Sequence, residues 1–131
     1  PLDITPARRA ELKDIMASEG LAFVGLHWLM VGPKDVHVTS PDPVRRNRGW
    51  QHIRKLIDLC ADLGPNGVMV FGSPKQRSTE GGISREEATR NYVDGLRDVA
   101  PQAEQRGVTI LIEALPLEQT DVVLSLDEAV Q

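Results

Sequence analysis

Three short apolar runs, each introduced by a glycine that closes a helical pattern, set the main constraint on this chain. LAFVGLHWLMV from 21, GVMVFG from 67 and VTILIEALP from 108 start 46 and 41 residues apart, with helical periodicity between them. A strand–helix unit repeated at that length means parallel strands, because only parallel neighbours need a long crossover. Runs this apolar predict strands buried on both faces.

The intervening helices carry their own start and stop signals. The first has Thr5 as N-cap and Pro6 at its first position, Leu12, Ile15 and Met16 on one face, and Gly20 as its stop; an amphipathic helix of this kind is expected to cover apolar surface. The second starts at Asp42-Pro43, carries Trp50, Ile53, Ile57 and Cys60 at spacings of three and four, and ends at Gly64. Arg45, Arg46, Arg48, Arg54 and Lys55 are expected on its solvent face. Ser84 and Glu87 form a capping box for a third helix through Ala88, Tyr92, Leu96 and Val99 to Gly107, which Pro101 is expected to kink or split. Ser125 and Glu128 repeat the box before a last helix.

Two closures suit such a pattern, a doubly wound open sheet and a (β/α)8 barrel of about 250 residues. Three strands do not close a barrel, and the chain begins at Pro1 and stops a few residues into its last helix. The expected fold is α/β: the N-terminal half of a (β/α)8 TIM barrel, cut at both ends, with residues 1–131 as one partial domain. Two open edges and an uncovered apolar layer predict pairing with another copy, or aggregation, for the isolated piece.

Composition removes several function classes. Nineteen acids against fifteen bases give a net charge of -4, which provides no general field for nucleic acid or an anionic membrane. Cys60 is the single thiol; it forms no disulfide within the chain, reads as a small core residue, and fits a reducing compartment. No apolar stretch reaches about 18 residues and no secretory leader pattern is present, so a cytoplasmic location is expected. GxxxxGK is absent, as is GxGxxG after a strand, so nucleotide loops find no support.

Glu113 is the best chemical clue. It ends the third apolar run just before the loop at Pro116, and in α/β folds that rim is where ligands bind. The alternative is an ion pair with a neighbouring loop. His27, late in the first run, reads as a substrate contact or a support for one, or as a hydrogen-bonded core histidine; Trp28 is a candidate pocket wall. GSPKQRS places Lys75, Gln76 and Arg77 at the same rim, suited to a phosphate or a sugar hydroxyl, or simply to water. Gly81-Gly82 reads as a lid hinge or a turn, and His37 and His52 as solvent-facing.

Through GLHWLM at 25–30, VMVFGSPKQRS at 68–78 and VTILIEALP at 108–116, nearly the whole chain resembles the sugar phosphate isomerase/epimerase group with the xylose isomerase-like TIM barrel. The resemblance implies one divalent ion (Mn, Mg, Co or Zn) held by a Glu after strand four, an Asp and a His from strands five and six, and a Glu from strand eight. On that resemblance Glu113 is the first ligand and the other three lie beyond Gln131. It also implies isomerisation or epimerisation of a sugar or sugar phosphate by the intact protein, with paired glutamates moving a proton beside a carbonyl, so that Glu113 is a ligand, a base, or both. The piece alone is then expected to be inactive. Related three-metal barrels use a His where His27 stands, but Gly72 and Ser73 occupy the next strand end, which favours one metal. The expected partners are the sugar or sugar phosphate and a second copy in a homo-oligomer; competing readings are a dehydratase on the same barrel, a non-catalytic sugar-binding module, and an endonuclease for abasic DNA, which the acidic balance disfavours.

Overall fold

A computed structural model describes residues 4–130. Helix α1 (Pro6–Ser18) leads to strand β1 (Gly25–Leu26), helix α2 (Pro43–Leu63), strand β2 (Val68–Phe71), the single turn α3 (Pro74–Arg77), helix α4 (Arg85–Gln105), strand β3 (Thr109–Ile112) and helix α5 (Leu126–Val130). The strands form one parallel sheet in the order β1-β2-β3. The strands lie in chain order, as in a barrel built by repetition of one βα unit.

The caps fall where the sequence puts them. Thr5, Asp42 and Ser84 accept hydrogen bonds from the backbone N–H groups of Arg8, Val44 and Glu87, satisfying donors that a first turn leaves free. At the far end of α1, Gly20 takes a left-handed φ of 67°. Helix α4 runs unbroken through Pro101, so the expected split does not occur.

One face of the sheet is covered and the other is not. Met69 and Phe71 point into a layer made by α2 and α4 and are fully buried. There Trp50, Phe71 and Tyr92 meet edge-on or tilted, with centroids 5.4–6.0 Å apart. Gly95 lets α4 approach this cluster, since a Cβ there would overlap the Trp50 indole. On the opposite face Val68 and Val70 are half-buried and Leu111 is 48% exposed. Burial on both faces is therefore not met within this chain, where only one layer of helices packs on the sheet, and the other face is the uncovered apolar layer expected of a partial barrel. The first run is corrected, for only Gly25 and Leu26 join the ladder and Val24 is 75% exposed.

Three further expectations change. Helix α1 buries no residue completely, and Ile15 is exposed; its hold on α2 includes the pair Arg9–Asp62 at 2.6 Å. His37 and His52 are buried rather than solvent-facing. His52 shares the inward stripe of α2 with Leu56 and Leu59, and its Nε2 lies 2.8 Å from the Leu29 carbonyl oxygen. Three arginines assigned to open solvent are tied down: Arg45 pairs with Asp35 and Glu80, Arg46 donates to the Ser40 carbonyl, and Arg54 reaches Asp98 and Gln102 on α4.

Candidate active site

The carboxyl ends of the three strands frame a cavity of about 600 Å³. His27 and Trp28 enter it from beyond β1, Lys75 and Gln76 from α3, and Glu113 from the end of β3. Five of the six site residues expected from sequence thus share one pocket. A depression of about 660 Å³ along α1 is lined by that helix alone, away from the strand ends.

Strand register positions Glu113. Val70 pairs with Leu111 and Phe71 with Ile112, so one further step sets Gly72 beside Glu113. The Glu113 N–H donates to the Phe71 carbonyl at 3.3 Å, and alternation turns its side chain to the uncovered face with Leu111. Gly72 leaves the carboxylate room opposite: a Cβ there would meet Oε2 of Glu113, which would have to swing aside. Among the described residues Glu113 has no ion-pair partner, so the simple ion-pair alternative finds no counterpart there.

Two pocket residues adopt left-handed backbone without being glycine. Trp28 has φ 56° and Ser73 φ 42°, each a conformation costing roughly 1–3 kcal/mol and found disproportionately at ligand sites. The turn at Trp28 leaves its ring 69% exposed and edge-on to His27 at 6.0 Å. Ser73 starts α3, and its buried Oγ has no hydrogen-bond partner among the described residues.

The α3 turn is anchored on both sides. Val38 N–H donates to the Gln76 carbonyl at 2.8 Å, and Thr39 Oγ1 donates to the Ser78 carbonyl at 2.6 Å. On the other side Asp121 accepts from the backbone N–H and hydroxyl of Thr79. Burial raises the Asp121 pKa, but these hydrogen bonds and Arg85 outweigh it and hold the carboxyl below its usual range. Beneath the turn, burial lowers the His37 imidazole pKa against the opposing pull of the Glu80 carboxylate, 3.6 Å from its Nε2. Gly81 and Gly82, with φ of 62° and 80°, form a turn in this anchored segment.

Arg77 departs from expectation. Its side chain is fully buried, outside the cavity lining, and donates to the carbonyls of Phe71 and Val123. The α3 turn points alternate residues in opposite senses, so Lys75 faces solvent while Arg77 faces the interior. Val31, Leu115 and Gln119 also line the cavity. Sequence reasoning missed them because loop residues carry no periodicity; polarity two residues past Leu117 was the one available hint for Gln119.

A divalent ion needs several oxygen or nitrogen donors. Among the described residues no group of three or more His, Cys, Asp and Glu side chains is arranged to hold one. Glu113 is a hard oxygen donor of the right type, but the described residues by themselves do not complete a metal site around it. No described helix is long and apolar enough to cross a membrane.

The parallel βα units agree with the family comparison, in which the xylose isomerase-like TIM barrel matches residues 1–131. The chain belongs to that family. Among solved structures it is similar to D-psicose 3-epimerase from Clostridium cellulolyticum H10 with D-tagatose, at 20% identity and TM-score 0.77, over 95% of this chain and 42% of that one. A D-psicose 3-epimerase crystallised with D-fructose gives 16% identity and TM-score 0.75, over 93% and 42% of the two chains. A 3-keto-D-glucoside 4-epimerase from E. coli gives 19% and 0.66, over 84% and 42%. At these identities the likeness concerns the fold, and the chain spans about 42% of the length of these solved structures. No curated protein sequence matches it.

Proposed function

We propose that this chain forms part of the active site of a sugar isomerase or epimerase that moves a proton on the carbon beside a carbonyl, through an enediolate. The supporting observation is the Glu113 carboxylate set against Gly72, in the strand-end cavity that His27, Lys75 and Gln76 also line. The solved epimerases of the same fold act on sugars, which suggests a ketose or keto-sugar as substrate, free or phosphorylated.

The assigned roles follow from the donors available. Glu113 takes or returns the proton, or binds the ion that assists, because a carboxylate serves as base and as hard ligand. Lys75, Gln76 and His27 meet the hydroxyls or a phosphate, and the exposed ring of Trp28 offers an apolar wall. A bound divalent ion (Mn, Mg, Co or Zn) would supply positive charge to the oxygen on which negative charge develops. Its other ligands would come from outside the described residues. The lone buried thiol, Cys60, suits a reducing compartment such as the cytoplasm.

The test is solvent exchange. The protein carrying this chain, incubated with ketohexoses and their phosphates in D2O, is expected to place deuterium beside the carbonyl of one of them. Glu113→Gln is expected to slow that exchange by at least about 10²-fold, the usual contribution of a positioned base. Exchange at the wild-type rate in Glu113→Gln would remove Glu113 from the chemistry, and no exchange with any sugar would favour a binding module.

A further inference from the structure

Arg77 is a buried guanidinium with no carboxylate partner among the described residues. Burying such a charge without a counter-ion is costly, so what it holds is informative. Its Nη1 donates to the Phe71 carbonyl at 3.1 Å and its Nη2 to the Val123 carbonyl at 3.4 Å. Each oxygen already has a backbone donor. The Phe71 carbonyl also receives the N–H of Glu113, and the Val123 carbonyl the N–H of Leu115, both at 3.3 Å.

The guanidinium fork therefore grips the two acceptors that fix the backbone on either side of Ala114. Tyr92 lies against it, with the ring centroid 6.0 Å from Cζ, and Val123 presents its carbonyl from a left-handed conformation, φ 60°, that is costly for a β-branched residue. A planar, permanently charged fork suits two separated carbonyls better than the single ammonium of lysine.

We propose that Arg77 is the positioning residue of Glu113: through the Phe71 and Val123 carbonyls it sets the backbone of residues 113–115, and so the place of the carboxylate at the rim. The role in catalysis rests on the reading of Glu113 given above; the backbone clamp itself does not.

Amide hydrogen exchange and turnover, measured on the protein carrying this chain with Arg77→Met, Arg77→Lys and Glu113→Gln, separate the two. In Arg77→Met the amides of Glu113 and Leu115 are expected to exchange about tenfold faster or more, as local opening allows, while those of Ile57 and Val99 keep their protection. Turnover is expected to fall about tenfold in kcat with little change in KM, the mark of a misplaced group rather than lost binding, and Arg77→Lys to recover part of it. Unchanged protection at Glu113 and Leu115, or loss spread evenly over the helices, overturns the clamp. If Arg77→Met does not fold, Arg77→Lys must show the same selective loss in smaller degree, or the proposal fails. Wild-type turnover in Glu113→Gln would sink the reading of Glu113, with the exchange result still deciding the role of Arg77.

Discussion

The two faces of the same three strands have opposite fates. Toward the helices, Met69 and Phe71 are fully buried against Trp50 and Tyr92. Toward the other side, Val70 and Leu111 stay partly open, and their rows end in Gly72 and Glu113. Along the second strand both rows are apolar, Val68 and Val70 against Met69 and Phe71, so hydrophobicity does not distinguish them. What separates them is the partner layer: a strand buries a side chain only where a second element comes within packing distance. The covered face provides cohesion, and the other ends at the cavity where the chemistry is proposed.

Unfolding measurements would break or sharpen this contrast. Phe71→Ala is expected to cost about 3–5 kcal/mol in urea denaturation, as for a buried aromatic. Leu111→Ala, on the open face, should cost about 1 kcal/mol, roughly half of full leucine burial. Equal losses would mean that the two faces are equally covered. The same substitution on each side extends the comparison. Gly95→Ala forces a methyl into the Trp50 indole and is expected to cost about 1–3 kcal/mol. Gly72→Ala meets only the movable tip of Glu113, so it should cost under about 1 kcal/mol of stability while reducing turnover.

The smallest effect is a pH slope from the covered side. Burial lowers the His52 pKa from its ordinary 6.5, so protons bind the unfolded chain more readily. This stability is complete above pH 6.5 and declines as the pH falls below it. His37 acts in the same direction. Asp62, held low first by Arg9 and also by Arg106, loses its contribution only below 3.8. The melting temperature is therefore expected to fall between pH 7.5 and pH 5.5, with a shallower slope in His52→Gln. An unchanged slope in that variant would show that His52 does not titrate with unfolding.

Much of the backbone plan was legible in the chain. Thr5, Asp42 and Ser84 announced their helices because a cap acts over three residues, and the spacing of the apolar runs announced parallel strands. Glu113, Lys75, Gln76, His27 and Trp28 reach one cavity because strand ends in such a sheet converge on one rim. The misses share a cause: polarity was taken for exposure. His52 stands on the inward stripe of α2, His37 lies under the α3 turn, and Arg77 turns inward to two carbonyls. A polar side chain is stably buried once its donors find acceptors, and those acceptors belong to segments distant in sequence.

The sequence by itself determined the repeated βα unit, the parallel strands and the carboxylate that ends the third, since these depend on local periodicity, caps and chain length. Only the tertiary structure decided which face of each strand is covered, that Gly72 leaves room for the carboxylate, and that Arg77 binds the backbone around Glu113 rather than a ligand. Those outcomes depend on contacts between residues 6 to 46 positions apart, and no local pattern encodes a carbonyl contributed by another loop.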